Sequence, residues 1–299
     1  MAMKSCIQKV YHVRIESMKN LREALGWAKE KRVAIGHFNV SDSEGFTAVV
    51  GVAKKLGVPV IVGVSEGERD FIGLEEVAAL VRVEREKGLM VFLNADHTYS
   101  VEKAKKAIDA GFDSVIIDRA DKSFEENVRL TRECVEYAKS TGDKVLVEAE
   151  LGFIGQSSKI LEGVPEGVSE ETQTKPEDAK KFVELTDIDL FAPSVGNIHG
   201  MVRGGEPRLN IGRIREIASA VSVPLVLHGA SGNSDEDIRE AIEAGIRIVH
   251  INTEIRVAYK SGVEIGIKSE EVAPYKFMAE GVKKMEAVIE NKLKLFNKL

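Results

Sequence analysis

Residues 90–118 read MVFLNADHTYSVEKAKKAIDAGFDSVIID. The run Met90–Asp96 is apolar for most of its length and ends in Asp96-His97. Ser100 then precedes the amphipathic stretch VEKAKKAIDAG, with Lys103 rather than Glu at the capping-box position and Gly111 as the stop. A second apolar run, Asp113–Asp118, follows at once and again ends in a carboxylate. Strand, helix and strand thus succeed one another, with ionisable side chains where each strand finishes.

The same alternation extends outward in both directions. Strand-like runs occupy Val33–Asn39, Pro59–Val64, Met90–Asp96, Asp113–Asp118, Lys144–Glu150, Leu190–Val195, Pro224–His228 and Ile246–Asn252. Amphipathic segments such as Ser100–Gly111, Phe124–Gly142, Pro176–Thr186 and Asp235–Gly245 lie between them, and Gly142 and Gly245 are placed as helix ends. Strands that are apolar without polar alternation belong to a sheet covered on both faces, as parallel sheets are. Eight of them, each followed by a helix or long loop, is the count of a closed (β/α)8 TIM barrel; a doubly wound open sheet is the structural competitor. The reading is one domain over residues 1–299. It has an N-terminal extension to about residue 17, a helix at Asn20–Lys31 closing the barrel floor, and terminal helices over Ala273–Leu299 packed outside. Phe153–Lys175 is longer than a structural connection needs, and loops of that length are commonly lids or binding loops.

Composition sets bounds. A chain of 299 residues, 43% hydrophobic, buries a large core. A net charge of −6 argues against nucleic acid as a partner. No stretch of eighteen apolar residues suggests a membrane span, and MAMKSCIQKVYHVRIES has no apolar h-region, so a cytoplasmic location is expected. Cys6 and Cys134 are far apart, in no metal-like spacing, and read as reduced thiols, Cys134 on a buried helix face.

Ionisable residues cluster by position. Asp96 and His97 end strand three, Asp118 strand four, and Glu148 and Glu150 strand five; His199 follows strand six and His228 ends strand seven. A lone His at a strand end is more often a hydrogen-bonded structural residue, Asp118 would serve as a helix cap, and either Glu could pair with a Lys. Such residues on consecutive strands, all at the end where barrel enzymes place their chemistry, point instead to a divalent-metal shell with an open position. His12 lies in the N-terminal extension and reads as inert, and His37 is ambiguous. A second constellation is rich in small residues: His228-Gly229-Ala230-Ser231-Gly232 after strand seven and Ile251-Asn252-Thr253-Glu254 after strand eight. Loops there form the usual phosphate site of such barrels, although two tight turns with a helix cap would look the same.

These residues resemble the class II (metal-dependent) fructose- and tagatose-bisphosphate aldolase family from about Asn20 to Ala258. The matching motifs are FNV at Phe38–Val40, Asp96-His97, AIDAGFDSVIID at Ala107–Asp118 and FEEN at Phe124–Asn127. They continue with VEAELG at Val147–Gly152, GNIHG at Gly196–Gly200 and LHGASG at Leu227–Gly232. The resemblance implies that His97, His199 and His228 hold Zn2+ or another divalent ion, with Asp118 and Glu150 as an alternative or second metal position. It implies Asp96 as the acid/base and a cradle of Gly200, Gly229, Ala230, Ser231, Asn252 and Thr253 for the phosphate of a dihydroxyacetone-phosphate unit. Ser65 would contact the other half of the substrate, and a monovalent cation and a homodimer or homotetramer are further implied. The activity implied is cleavage or formation of a C–C bond in a phosphorylated ketose, its charge spread as an enediolate, with no Schiff-base lysine.

Two departures bear on the substrate. Where relatives carry a GGxED-like loop, this chain reads Gly155-Gln156-Ser157-Ser158-Lys159, leaving Glu162, Glu166, Glu170 or Glu171 as the carboxylates that could swing in. Where Lys-x-Asn is usual, it has Ile248 and His250. Competing readings are a metal-dependent barrel hydrolase, a metal-dependent sugar-phosphate epimerase, and a non-catalytic sugar-phosphate-binding descendant.

Overall fold

Eight parallel strands close on themselves: β1 (Ile35–Asn39), β2 (Val60–Val64), β3 (Val91–Thr98), β4 (Ser114–Ile117), β5 (Leu146–Leu151), β6 (Leu190–Pro193), β7 (Leu225–Leu227) and β8 (Ile246–Ile251). In this computed structural model, residues 18–142, 144–155, 158–205 and 208–299 are described. The extension 1–17, with Cys6 and His12, and loop residues Gln156 and Ser157 lie outside the described residues.

Helices alternate with the strands around the outside: α1 (Leu21–Lys31), α2 (Ser43–Leu56), α3 (Glu66–Ile72), α4 (Leu74–Glu86), α5 (Val101–Asp109), α6 (Phe124–Ser140), α7 (Pro176–Thr186), α8 (Ile211–Ala220), α9 (Asp235–Ala244) and α10 (Thr253–Ile267). Two more, α11 (Pro274–Phe277) and α12 (Ala279–Asn297), complete the described chain, α12 packing against α10 and α2. The caps follow the sequence signals. Ser100, Ser123 and Ser234 accept the third amide of their helices, and Gly245 stops α9 with φ of 139°. Every residue of β1, β2 and β8 is buried, because helices cover one face and the barrel interior the other.

The interior is layered by strand parity. At the bottom, Ile35, Ile61, Phe92, Leu146, Leu190, Val226 and Ile248 meet Leu21, Leu25 and Trp27 of α1, which plugs that end. One and two steps up each strand the inward residues turn polar: His37 and Asn39, Asn94 and Asp96, Glu148 and Glu150, His228, His250. The apolar floor fixes the barrel and leaves the C-terminal mouth free for chemistry. The segment 153–175 is not structureless: Ile160–Leu161 pairs in parallel with Met201–Val202, and Glu170–Thr172 forms a 3-10 turn. Among the described residues no helix is long and apolar enough to cross a membrane.

Candidate active site and metal centre

A cavity of about 200 Å³ opens at the C-terminal mouth, reached by Ser65, Asp96, His97, Asp118, His199, Gly200, Gly229, Ser231, His250, Asn252 and Thr253. His228 and Glu150 lie close by and are buried.

Adjacent residues on a strand point to opposite faces, yet Asp96 and His97 both reach this cavity. The β3–β4 register shifts between Ala95 and Thr98, and His97 takes φ of +36°, a left-handed conformation that a non-glycine residue holds only under constraint from its surroundings. Arg69 supplies part of that constraint. Its guanidinium donates to the carbonyls of Val64 and Asp96 and to Thr98 Oγ1.

His97, His199, His228 and Glu150 bring one donor atom each within 4.8 Å of one another. Each ring uses its other nitrogen on a fixed acceptor. His97 Nδ1 donates to Asp118 Oδ2 at 2.8 Å, His199 Nδ1 to the Gly155 carbonyl at 2.8 Å, and His228 Nε2 to Glu148 Oε1 at 2.7 Å. Those hydrogen bonds leave His97 Nε2, His199 Nε2 and His228 Nδ1 as the nitrogens that would offer lone pairs once an ion displaced any proton they carry, the arrangement metal-binding imidazoles adopt. His228 Nδ1 and Glu150 Oε2 are buried and without a hydrogen-bond partner, so the residues present fit a divalent ion. Asp118 falls outside this group and stands behind His97, whereas Glu150 falls within it.

The charges are tightly coupled. Burial opposes the cationic form of His97, but Asp96 and Asp118 outweigh it and raise the ring to about 9. Burial and the neighbouring His97 and His228 lower His199 to about 3. Asp96 is held well below the usual carboxylate range: burial alone would raise it, but His97, His37 and His228 and the Asn39 amide prevail. Asn39 Nδ2 reaches Asp96 Oδ2 at 2.8 Å, while Asp96 Oδ1 is buried and unpartnered. Asp96 is therefore an ionised acceptor with one oxygen uncommitted.

The turn after β7 needs glycine. At Gly229 φ is +58°, and a Cβ would stand 2.3 Å from the Ile198 carbonyl oxygen, beside His199. Ser231 Oγ accepts the amides of Asn252 (3.2 Å) and Glu254 (3.3 Å), which occupies both lone pairs and leaves its proton to donate. Ala230 departs from the expected cradle. Its amide is committed to the His250 carbonyl and its methyl group is packed in the core. The carboxylates considered as loop replacements do not line the cavity: Glu162 pairs with Arg203, and Glu170 and Glu171 are exposed on the 3-10 turn.

Four residues join the site without having been singled out: Asn39, Tyr99, Arg256 and, behind them, Glu68. Glu68 is buried, accepts the Asn39 amide at 2.8 Å and the Ser65 backbone at 2.7 Å, and pairs with Arg256. Arg256 stands one turn after Thr253 on α10; its distance from any strand end hid it.

Residues 19–299 match the sequence profile of the family described as fructose-bisphosphate aldolase class-II. A fructose-bisphosphate aldolase of Geobacillus stearothermophilus is 37% identical over 291 residues, covering 94% of this chain and 97% of its own. Among solved structures, the YdjI aldolase of Escherichia coli K12 superposes with a TM-score of 0.80 at 33% identity, over 93% of this chain and 96% of its own. A structure described as a putative fructose-1,6-biphosphate aldolase from Coccidioides immitis gives 0.78 at 29% identity, with the same coverage.

Proposed function

Since the chain belongs to the class II fructose-bisphosphate aldolase family, we propose that His97, His199 and His228 hold the divalent ion of its aldolase centre, with Glu150 beside them and Asp96 as the acid/base. The chain is a metal-dependent aldolase acting on a phosphorylated sugar. The observation that carries the residue assignment is the set of outward hydrogen bonds to Asp118, Gly155 and Glu148, which turns the second nitrogen of each ring toward the others. Three imidazoles with a carboxylate suit zinc, and zinc is our choice of ion.

When bound, the ion supplies Lewis-acid stabilisation of the negative charge left beside a carbonyl as the C–C bond breaks. The chain's own residues do the rest. Asp96 Oδ1 takes the proton of the hydroxyl on the carbon whose bond breaks and returns it in the synthetic direction; Asn39 holds Oδ2, leaving Oδ1 as the oxygen without a hydrogen bond. Ser231, with the backbone of Gly200, Gly229, Asn252 and Thr253, takes the phosphate at the mouth of β7 and β8. Ser65 and Arg256, which share Glu68 as a partner, face the aldehyde half, and His250 reads the hydroxyls between.

The barrel and its two terminal helices work as one domain. Val257, Ile265, Ile267, Val272 and Tyr275 are exposed on α10 and the segment after it, which supports a homo-oligomer built on that face. The buried, unbridged Cys134 suits the cytoplasm. A coupled assay for triose phosphate released from a panel of ketose mono- and bisphosphates, with and without chelator, tests the reading. Chelator-resistant turnover, or conversion of the sugars without triose phosphate, would overturn it.

A further inference from the structure

His37, on β1, is 1% exposed. Its ring lies face to face with His250, centroids 3.5 Å apart and planes within 4°. His250 in turn covers His228 at 4.2 Å and 22°. Three imidazoles thus form a column from β1 across β8 to β7, ending on a residue assigned to the ion. The far end is anchored. His37 Nε2 donates to Asn94 Oδ1 at 3.1 Å, and Asn94 Nδ2 donates to Ser114 Oγ at 2.7 Å. Space for the ring comes from Gly63 on neighbouring β2, where a Cβ would stand 2.0 Å from His37 Cε1.

The column is not a second metal site. His37, Asp96 and His250 do bring one donor atom each within 4.8 Å of one another, but the two rings lie in parallel planes 3.5 Å apart, and in-plane lone pairs from such planes do not meet on one ion at a Zn–N bond length of roughly 2.0–2.1 Å. Nor does His37 reach the cavity; what it touches is His250, which does. His250 Nδ1 lies 3.6 Å from Asp96 Oδ1, the carboxylate oxygen with no hydrogen-bond partner.

We propose that His37 is a positioning residue for the aldol reaction, holding the His250 ring in the plane from which its edge meets Asp96 and the reacting end of the ketose phosphate. This rests on the aldolase reading and on His250 as a substrate-facing residue. His250 is gripped on one face by His228, itself fixed through Glu148, and on the other by His37. Removing His37 frees one face, so the ring tilts and Asp96 loses its neighbour at the required angle. The phosphate contacts come from Ser231 and from backbone after β7 and β8, and a tilt confined to the His250 side chain leaves them in place.

The test compares steady-state kinetics and bound metal, using the ketose phosphate that the wild-type protein cleaves best. His37→Ala is expected to lower kcat roughly tenfold or more, the scale of a displaced reacting group, with KM within about twofold and metal content unchanged. His37→Phe, which keeps a flat ring on His250, should recover most of kcat. Gly63→Ala pushes on the ring without altering His37, so it should reproduce the loss in the wild-type background and cost nothing further beside His37→Ala. In a His250→Ala background His37→Ala should be silent. Wild-type kcat in His37→Ala, or losses that simply add in the His37/His250 double variant, would overturn the proposal. If His37→Ala does not fold, unchanged kcat in Gly63→Ala overturns it. Absence of turnover by the wild-type protein on every ketose phosphate would instead remove the aldolase reading and, with it, this role for His37.

Discussion

His97 Nδ1 donates to Asp118 Oδ2 at 2.8 Å, which on the proposed reading makes the carboxylate after β4 the group that orients a ring ligand. The two roles predict different losses. Asp118→Asn keeps an acceptor oxygen for the ring and is expected to weaken metal binding by about 10–100-fold, the usual effect of an outer partner. His97→Ala removes one of three ring ligands and should leave no stoichiometric metal at all. Chelator competition on both variants measures this; equal and complete loss in the two would make Asp118 a direct ligand.

Asp96 is poised by the same cluster. With its pKa held low by His97, His37, His228 and the Asn39 amide, it is ionised at neutral pH in the metal-free protein. Asp96→Asn preserves shape but not proton exchange, and kcat should fall about 10²–10⁴-fold while metal and inorganic phosphate still bind. A variant turning over at the wild-type rate would assign the proton to another group.

How much of this could be read from the residues alone follows from what each signal depends on. Strand ends depend on local pattern, so the eight strands were placed to within two residues and Asp96, Glu150, His199 and His228 fell at one mouth. Mutual orientation depends on register and backbone torsion. Nothing in FLNADH announces that β3 bulges, or that His97 turns left-handed to bring its ring beside Asp96. Asp118 and Glu150 are both inward carboxylates at strand ends, and only three-dimensional placement puts one behind a ring and the other among the donors. His37 was ambiguous for the same reason: its meaning lies in Gly63 and His250, on two other strands.

Each buried histidine adds its own pH dependence to the stability of the metal-free protein. Burial lowers His37 from 6.5 to about 4, so between these values the unfolded chain binds a proton that the native state refuses. This residue's contribution is intact above pH 6.5 and is lost as pH falls toward 4, by about 3 kcal/mol. His199, lowered to about 3, acts in the same direction. His97, raised to about 9, acts oppositely, adding stability below pH 6.5 that is lost as pH rises through 9. Urea midpoints of the metal-free protein at pH 7 and pH 5 should therefore differ less in His37→Phe than in the wild type. Identical differences would mean that His37 protonates in the native state as readily as in the unfolded chain.

Ser231 tests the phosphate site with least disturbance to the ion. Its Oγ already accepts the Asn252 and Glu254 amides, so the hydroxyl proton is what it has left to give an anion. Ser231→Ala deletes that donor and also strands two amides, and should raise KM for a phosphorylated ketose by about tenfold, the value of a hydrogen bond to a charged group. Ser231→Asp places a carboxylate against the dianion and should raise it further. Neither change touches Asp96 or the ring ligands, so kcat at saturation should move far less than KM. Inorganic phosphate offers an independent reading, because its inhibition constant should rise in step with KM across the two variants. If KM rises while phosphate inhibition stays at the wild-type level, the anion binds elsewhere in the mouth, and Arg256, the cation that also lines the cavity, becomes the group to change next.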